Sequence, residues 1–274
     1  EVFSTEQLAR IRQNLIANYG PDYGASLYEQ EYLCSFDAAN LGAILGRWLI
    51  RAQTQGRIRK GIFDPLGAPI EISADIGRRD KAAWWYWQPR SDGFGLVFCE
   101  GEAGLVAQDW IKKIKDKLNE RNWLLEKIWL PHDAKAKTFG TQHSPMEQFL
   151  EAFPGQVAVI PRTDIFDRIN AARTLIERCW FDEEGTAEGR DALAAWAFVY
   201  DEERKEFSKE PDHNWASHEA DGFSYGCQVM QLRELEEKKP ELQDEVRGLP
   251  GGGFSLGKSL EDMWAEVKPK YARI

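Results

Sequence analysis

Residues 70–88, IEISADIGRRDKAAWWYWQ, decide how this chain folds. Ile70, Ile72 and Ala74 alternate with Glu71, Ser73 and Asp75, the period-two pattern of a strand. Gly77 and the polar run Arg78, Arg79, Asp80 and Lys81 make a turn, and 82–88 read as the returning strand of a hairpin. Trp84, Trp85, Tyr86 and Trp87 are read as core rather than as a base-stacking surface, because such rings bury large areas. Asp75 is different. An acid projecting from a central strand is costly unless something pairs with it, and either a bound cation or a hydrogen bond to a turn would do so.

The 274 residues suffice to bury a full core, as one large domain or one domain with an appendage. No run of apolar residues is long enough to span a membrane and no charged-apolar-small leader opens the chain, so a soluble, intracellular protein is expected, with no membrane partner. The chain opens on Glu1 rather than Met, the start expected of a piece of something longer. Cys34, Cys99, Cys179 and Cys227 have no C-x-x-C spacing, which points to free thiols rather than zinc or a disulfide framework. A net charge of -10 argues against a globally basic nucleic-acid binder but leaves room for a local basic groove.

Outward from the hairpin, residues 4–18 carry a Ser4 cap and an amphipathic helical pattern. A second helix is expected from about Asp37 to Gln53, stopped by Gly56. Residues 93–102 alternate as a third antiparallel strand, and 106–122 place Val106, Trp110, Ile114 and Leu118 at helical spacing. Residues 126–134 read as a short strand that ends in Pro131, His132 and Asp133 and lies parallel beside the first. Ser144, Pro145 and Glu147 start a helix through Phe153, and 157–161 form a fifth strand. A helix is expected over 164–180, helix or strand over 189–201, a charged loop next, and a long helix over 215–239. The tail beyond Pro240 is expected to be mobile.

This order is that of an α/β, ribonuclease-H-like mixed sheet: three antiparallel strands, then parallel crossover strands, flanked by helices. In such a sheet the first and fourth strands are parallel neighbours, which would bring Asp75 and Asp133 to adjacent ends. A third acid would come from a helix packed on the sheet, and Asp221 is the candidate, sharing a helix face with Ser217, His218, Ser224 and Tyr225. Gly222 and Gly226 are poor helix residues, best explained by a neighbouring backbone pressed close. Such a cluster suits phosphodiester hydrolysis, in which two divalent ions roughly 3.5 to 4 Å apart activate water and stabilise the leaving oxygen. Hard oxygen ligands favour Mg2+ or Mn2+, so His132 and His218 are read as supporting residues rather than ligands. Ser217, His218 and Asp221 on one helix cannot form a nucleophile-base-orienter chain.

Taken together, LCSFDAAN (33–40), ADIGRRDKAAWWYWQ (74–88), WLPHDA (129–134), IFDRINAAR (165–173) and HNWASHEADGFSYG (213–226) resemble the nuclease region of tailed-bacteriophage terminase large subunits. The resemblance implies that Asp75, Asp133 and Asp221 are metal-binding catalytic acids, with Asp80 as an accessory acid. It departs from the family at Gly222 and Ser224, where alanine and arginine are frequent. It implies a chain divided into 1–60 as linker or end of an ATPase region, 61–240 as nuclease and 241–274 as tail. No G-x-x-x-x-G-K-[ST] loop is present, so ATPase function would lie elsewhere. The implied partners are double-stranded DNA, the protein's own N-terminal ATPase domain, the small terminase subunit and the portal ring. The implied location is the cytoplasm of an infected host, transiently at the procapsid portal. Arg57, Arg59 and Lys60, Arg78 and Arg79, and Lys135 and Lys137 are the candidate DNA contacts. The competing readings are a Holliday-junction resolvase or transposase-like nuclease, and a non-catalytic module docking on DNA or the portal.

Overall fold

The computed structural model describes residues 5–19, 28, 42–77, 81–137, 142–201, 203–204, 206–237, 246–249 and 253–256. Along the chain come α1 (Thr5–Tyr19), α2 (Gly46–Thr54), β1 (Ile58–Arg59), β2 (Ile70–Asp75), β3 (Lys81–Arg90), β4 (Gly93–Ala103) and α3 (Ala107–Arg121). After them follow β5 (Leu125–Leu130), α4 (Pro145–Ala152), β6 (Val157–Val159), α5 (Ile165–Leu175), β7 (Cys179–Asp182), α6 (Ala187–Ala195), β8 (Phe198–Asp201), β9 (Glu206–Pro211) and α7 (Ser217–Glu237). A hairpin of β10 (Val246–Leu249) and β11 (Gly253–Leu256) lies within the stretch read as a tail.

Seven strands form one mixed sheet in the order β1-β7-β4-β3-β2-β5-β6. β2, β3 and β4 are the expected antiparallel meander, and β5 pairs parallel with β2, as the crossover after α3 requires. β6 extends one side parallel to β5, and β7 and β1 extend the other parallel to β4. This is the ribonuclease-H-like sheet expected from the order of elements. The carboxyl ends of β1, β7, β4, β2, β5 and β6 therefore share one edge, where ligands of open α/β sheets bind.

Helices cover both faces, so the central strands are buried throughout rather than alternately. Ile70, Ile72, Ala74, Trp84 and Tyr86 pack with Trp110, Ile114 and Leu118 of α3 and Phe149 of α4. Trp85 and Trp87 pack on the opposite face with Phe223, Cys227 and Met230 of α7 and Ile169 and Leu175 of α5. All four aromatics of β3 are fully buried. The polar positions of β2 are buried as well. Glu71 accepts from Trp129 Nε1 at 2.7 Å, and Ser73 donates to the Gly222 carbonyl at 2.8 Å.

Several boundaries differ from expectation, each for a physical reason. α2 starts at Gly46 because Ala43 bridges Ala197 in extended backbone. The strand before Asp133 stops at Leu130. Pro131 leads into a 3-10 turn over His132–Lys135, which carries the acid beyond the strand end. The helix expected over 164–180 ends at Leu175. After a short 3-10 turn the chain becomes β7, whose Cys179 and Phe181 are buried between β1 and β4. The charged loop expected after residue 201 contains β9, paired antiparallel with β8. Residues 20–27 and 29–41 lie outside the described residues, as do 78–80.

α7 packs closely across β2 and β3. A Cβ at Gly226 would stand 2.4 Å from Trp87 Cζ2 and 2.6 Å from Ser73 Oγ, and one at Gly222 would meet Asp75 N at 3.3 Å. Gly226→Ala is expected to cost about 1–3 kcal/mol by overpacking. Gly222→Ala is expected to be near neutral, since its milder contacts are offset by about 1 kcal/mol of helix propensity. Denaturant unfolding of the two variants checks the order.

Candidate active site

Three carboxylates approach one another at the carboxyl edge of the sheet. Asp75 ends β2, opposite Ala83 of β3. Asp133 follows β5, the parallel neighbour of β2, on the 3-10 turn that Pro131 opens. Asp221 comes from α7, whose Gly222 lies against the backbone of Asp75 and Ala83. Their charges act on one another. Burial, and secondarily the charge of Asp75, hold the Asp133 carboxyl above its usual range, although the residue as a whole is exposed. Burial also raises Asp221, which the Arg168 guanidinium pulls down and Asp75 pushes up. Tyr225, one turn further along α7, is pushed up to about 12 by burial, with all three aspartates adding to it against Arg168.

Two of the acids are already engaged. His218 Nδ1 stands 3.0 Å from Asp75 Oδ2, a contact made across the α7–β2 junction. Arg168 Nη1, reaching over from α5, donates to Asp221 Oδ1 at 2.9 Å and to Ser224 Oγ at 3.2 Å. Its guanidinium carbon lies 4.3 Å over the Tyr225 ring. His213 rests edge-on against His218 with ring centroids 5.7 Å apart, and its Nδ1 is 3.2 Å from Ser217 Oγ. Carboxylate oxygens are the right chemistry for a hard divalent cation. Among the described residues, however, no three His, Cys, Asp or Glu side chains converge closely enough to hold one. The donor set suits the ion and its present arrangement does not.

The remaining sequence candidates divide by position. Lys135 shares the 3-10 turn with Asp133 and is exposed, as is His132; Lys137, two residues on, is ion-paired with Glu147 at 3.3 Å. Arg59 and Lys60 reach the same sheet edge but from β1, four strands from β2, or about 19 Å at the usual strand spacing. Arg59 lies over Trp180 at 4.8 Å and Lys60 pairs with Glu184. Arg57 is buried, and its guanidinium donates to the carbonyls of Ile176 and Cys179 that end α5 and open β7. It is therefore a structural cation, closed off from any phosphate. Arg78, Arg79 and Asp80 lie outside the described residues. Arg168 lies in the segment IFDRINAAR, to which the sequence analysis assigns no site residue. It reads as the polar side of an amphipathic helix, and only the packing of α5 against α7 brings it to Asp221.

The fold matches solved large terminases. The large terminase of the thermophilic bacteriophage D6E in complex with ADP superposes with a TM-score of 0.52 and 12% identity, covering 65% of this chain and 43% of that one. Another structure of the D6E protein gives 0.51 and 12%, covering 65% and 44%. This chain shares its fold with large terminases. The match spans less than half of the D6E protein's length. The nuclease domain of the bacteriophage SPP1 large terminase with bound Mn matches at 0.47 and 11% identity, over 63% of this chain and 95% of that one. No family model matches the sequence, and no curated protein matches it.

The raised carboxyls make a pH prediction. Unfolded aspartates titrate near ~3.9, whereas Asp133 and Asp221 titrate higher when folded. As pH falls from neutral towards that unfolded value, the native state takes up these protons first. Both groups therefore add stability on acidification and withdraw it as pH rises through their folded values. Asp133→Asn is expected to flatten this slope in chelator-treated protein and to melt no lower than the parent at neutral pH. Melting temperatures of both proteins at pH 7 and pH 5 check it.

Proposed function

We propose that the chain is the nuclease domain of a phage large terminase, a divalent-metal-dependent endonuclease that cuts concatemeric double-stranded DNA during genome packaging. The observation that supports this reading is that Asp75, Asp133 and Asp221 come from the ends of two parallel strands and a packed helix at the carboxyl edge of a sheet with the large-terminase fold, with the charge of Asp75 felt by both other acids.

In this reading the three carboxylates hold Mg2+ or Mn2+, as two ions. Bound there, the ions would offset the negative charge that builds on the phosphoryl and leaving oxygens and lower the pKa of a bound water. The chain's own residues do the rest. His218 fixes the Asp75 carboxylate from α7. The Asp133 turn presents its acid with Lys135 alongside, a charge suited to a backbone phosphate. The buried aromatics of β3 brace the strand beside Asp75. The partners are then DNA, an ATPase domain ahead of this one, the small subunit and the portal ring. The site of action is the host cytoplasm, transiently at the procapsid portal.

Purified protein incubated with plasmid and Mn2+ or Mg2+ is expected to nick and linearise it. Asp75→Asn, Asp133→Asn and Asp221→Asn are each expected to lower the rate at least a hundredfold while the thermal melt stays cooperative, because each removes a ligand charge at constant volume. Cleavage absent with every divalent ion would favour a docking module. Cutting confined to four-way junctions would favour a resolvase.

A further inference from the structure

The donor chemistry at the sheet edge suits a divalent ion, yet the side chains stand in an arrangement that does not close around one. One competitor for such an ion is identifiable. Asp221 is held by a guanidinium that is itself held three ways: by the Asp221 carboxylate, by Ser224 Oγ and by the face of Tyr225. Ser224 is fully buried and donates to the Asp221 carbonyl at 2.9 Å, so this anchor is part of α7 itself. The Arg168 side chain is 12% exposed and that of Asp221 29%, so the pair sits at the mouth of the site rather than beneath it.

A guanidinium fork accepts a phosphate in the geometry in which it accepts a carboxylate, and exchanging one anion for the other avoids leaving a partly buried cation unpaired. A cation needing Asp221 must displace Arg168, and a DNA phosphate arriving at the mouth offers Arg168 another partner. We propose that Arg168 is a positioning residue that occupies Asp221 in the DNA-free protein and passes to a backbone phosphate when duplex binds. The carboxylate is thereby released to the metal, and DNA and divalent ion bind with positive coupling. Tyr225 and Ser224 keep the guanidinium within reach of both partners. This rests on the nuclease reading and adds to it an order of events: duplex first, tight metal second. By reciprocity the metal must strengthen DNA binding by the same factor that DNA strengthens metal binding.

Titration calorimetry of the full chain with Mn2+, without DNA, tests the first half. Arg168→Gln is expected to bind Mn2+ about tenfold tighter than the parent, a usual size for coupling between sites. The double variant Arg168→Gln, Asp221→Asn is expected to lose that gain. Arg168→Lys keeps the charge but on a shorter side chain that cannot stack a planar guanidinium on Tyr225, so it is expected to fall between; should Arg168→Gln fail to fold, Arg168→Lys alone must bind Mn2+ tighter than the parent. The second half is read by fluorescence anisotropy of a labelled duplex with and without Ca2+. Ca2+ is expected to tighten DNA binding in the parent and to have little effect in Arg168→Gln. An Arg168→Gln protein whose Mn2+ affinity is unchanged or weaker overturns the inference, provided that Asp221→Asn weakens Mn2+ binding. A Mn2+ affinity that Asp221→Asn leaves untouched sinks the nuclease reading itself, and the inference with it.

Discussion

The structure depends on one buried relay between a helix and the sheet. Trp87 Nε1 donates to Ser73 Oγ at 2.9 Å, and Ser73 Oγ donates in turn to the Gly222 carbonyl of α7. Trp85 Nε1 makes a second tie, to the Glu219 carbonyl at 2.8 Å. These carbonyls lie inside a helix yet accept from the sheet, a contact possible only because Gly222 and Gly226 leave no Cβ in the way. A donor orphaned at such a depth costs about 1–3 kcal/mol, so the relay fixes the position of α7 along the strands more sharply than apolar packing alone could. The other sheet face shows the contrast. There Trp84 and Trp110 bury indole N–H groups without an acceptor, and α3 is held by ring packing, with Trp84 and Trp110 centroids 5.4 Å apart.

That positioning matters because the relay ends next to the acids. Ser73 is two residues from Asp75, and Gly222 is next to Asp221. A slip of α7 by one residue would turn Asp221 roughly 100° away from the strand end, since successive helix residues are that far apart around the axis. Glu219 adds a further tie. Its carboxylate is buried and ion-paired with Lys81 at the start of β3, which anchors the same helix to the strand that returns from Asp75.

Much of this was legible in the sequence because period and punctuation agreed. The alternation over 70–75, the aromatic run of β3 and the Ser144-Pro145-Glu147 start each have one physical solution, and the capping box forms with Glu147 N on Ser144 Oγ at 3.2 Å. The glycines of α7 announced a close neighbour and met one. The end of α5 was illegible for the opposite reason. Leu175, Ile176, Cys179 and Phe181 satisfy a helical stripe and a buried strand alike, and neither Gly nor Pro interrupts them. What stops the helix is Arg57, some 120 residues away in the chain, capturing the carbonyls of Ile176 and Cys179. Arg168 was hidden in the same way. The three acids could be proposed from strand ends and a helix face, whereas the side chain that answers Asp221 depends on how two helices cross.

The placement of the aromatic core follows from the electrostatics above it. Three carboxylates at one sheet edge oppose folding: burial first, and the charge of Asp75 in addition, raises both Asp133 and Asp221. Near a protein surface a pair of like charges a few ångströms apart costs on the order of a few kcal/mol. Each fully buried large side chain contributes roughly 1.5–3 kcal/mol against it, and β3, the strand hydrogen-bonded directly beside Asp75, buries four aromatics in succession. A strand held by four buried rings thus adjoins the acids, which opposes relief of the repulsion by parting β2 from β3. The repulsion is met instead by counter-charge, for which the chain supplies Arg168 from outside the sheet. A counter-charge on a side chain is exchangeable, as one built into the backbone would not be. The same repulsion can therefore be relieved either by a guanidinium or by a cation.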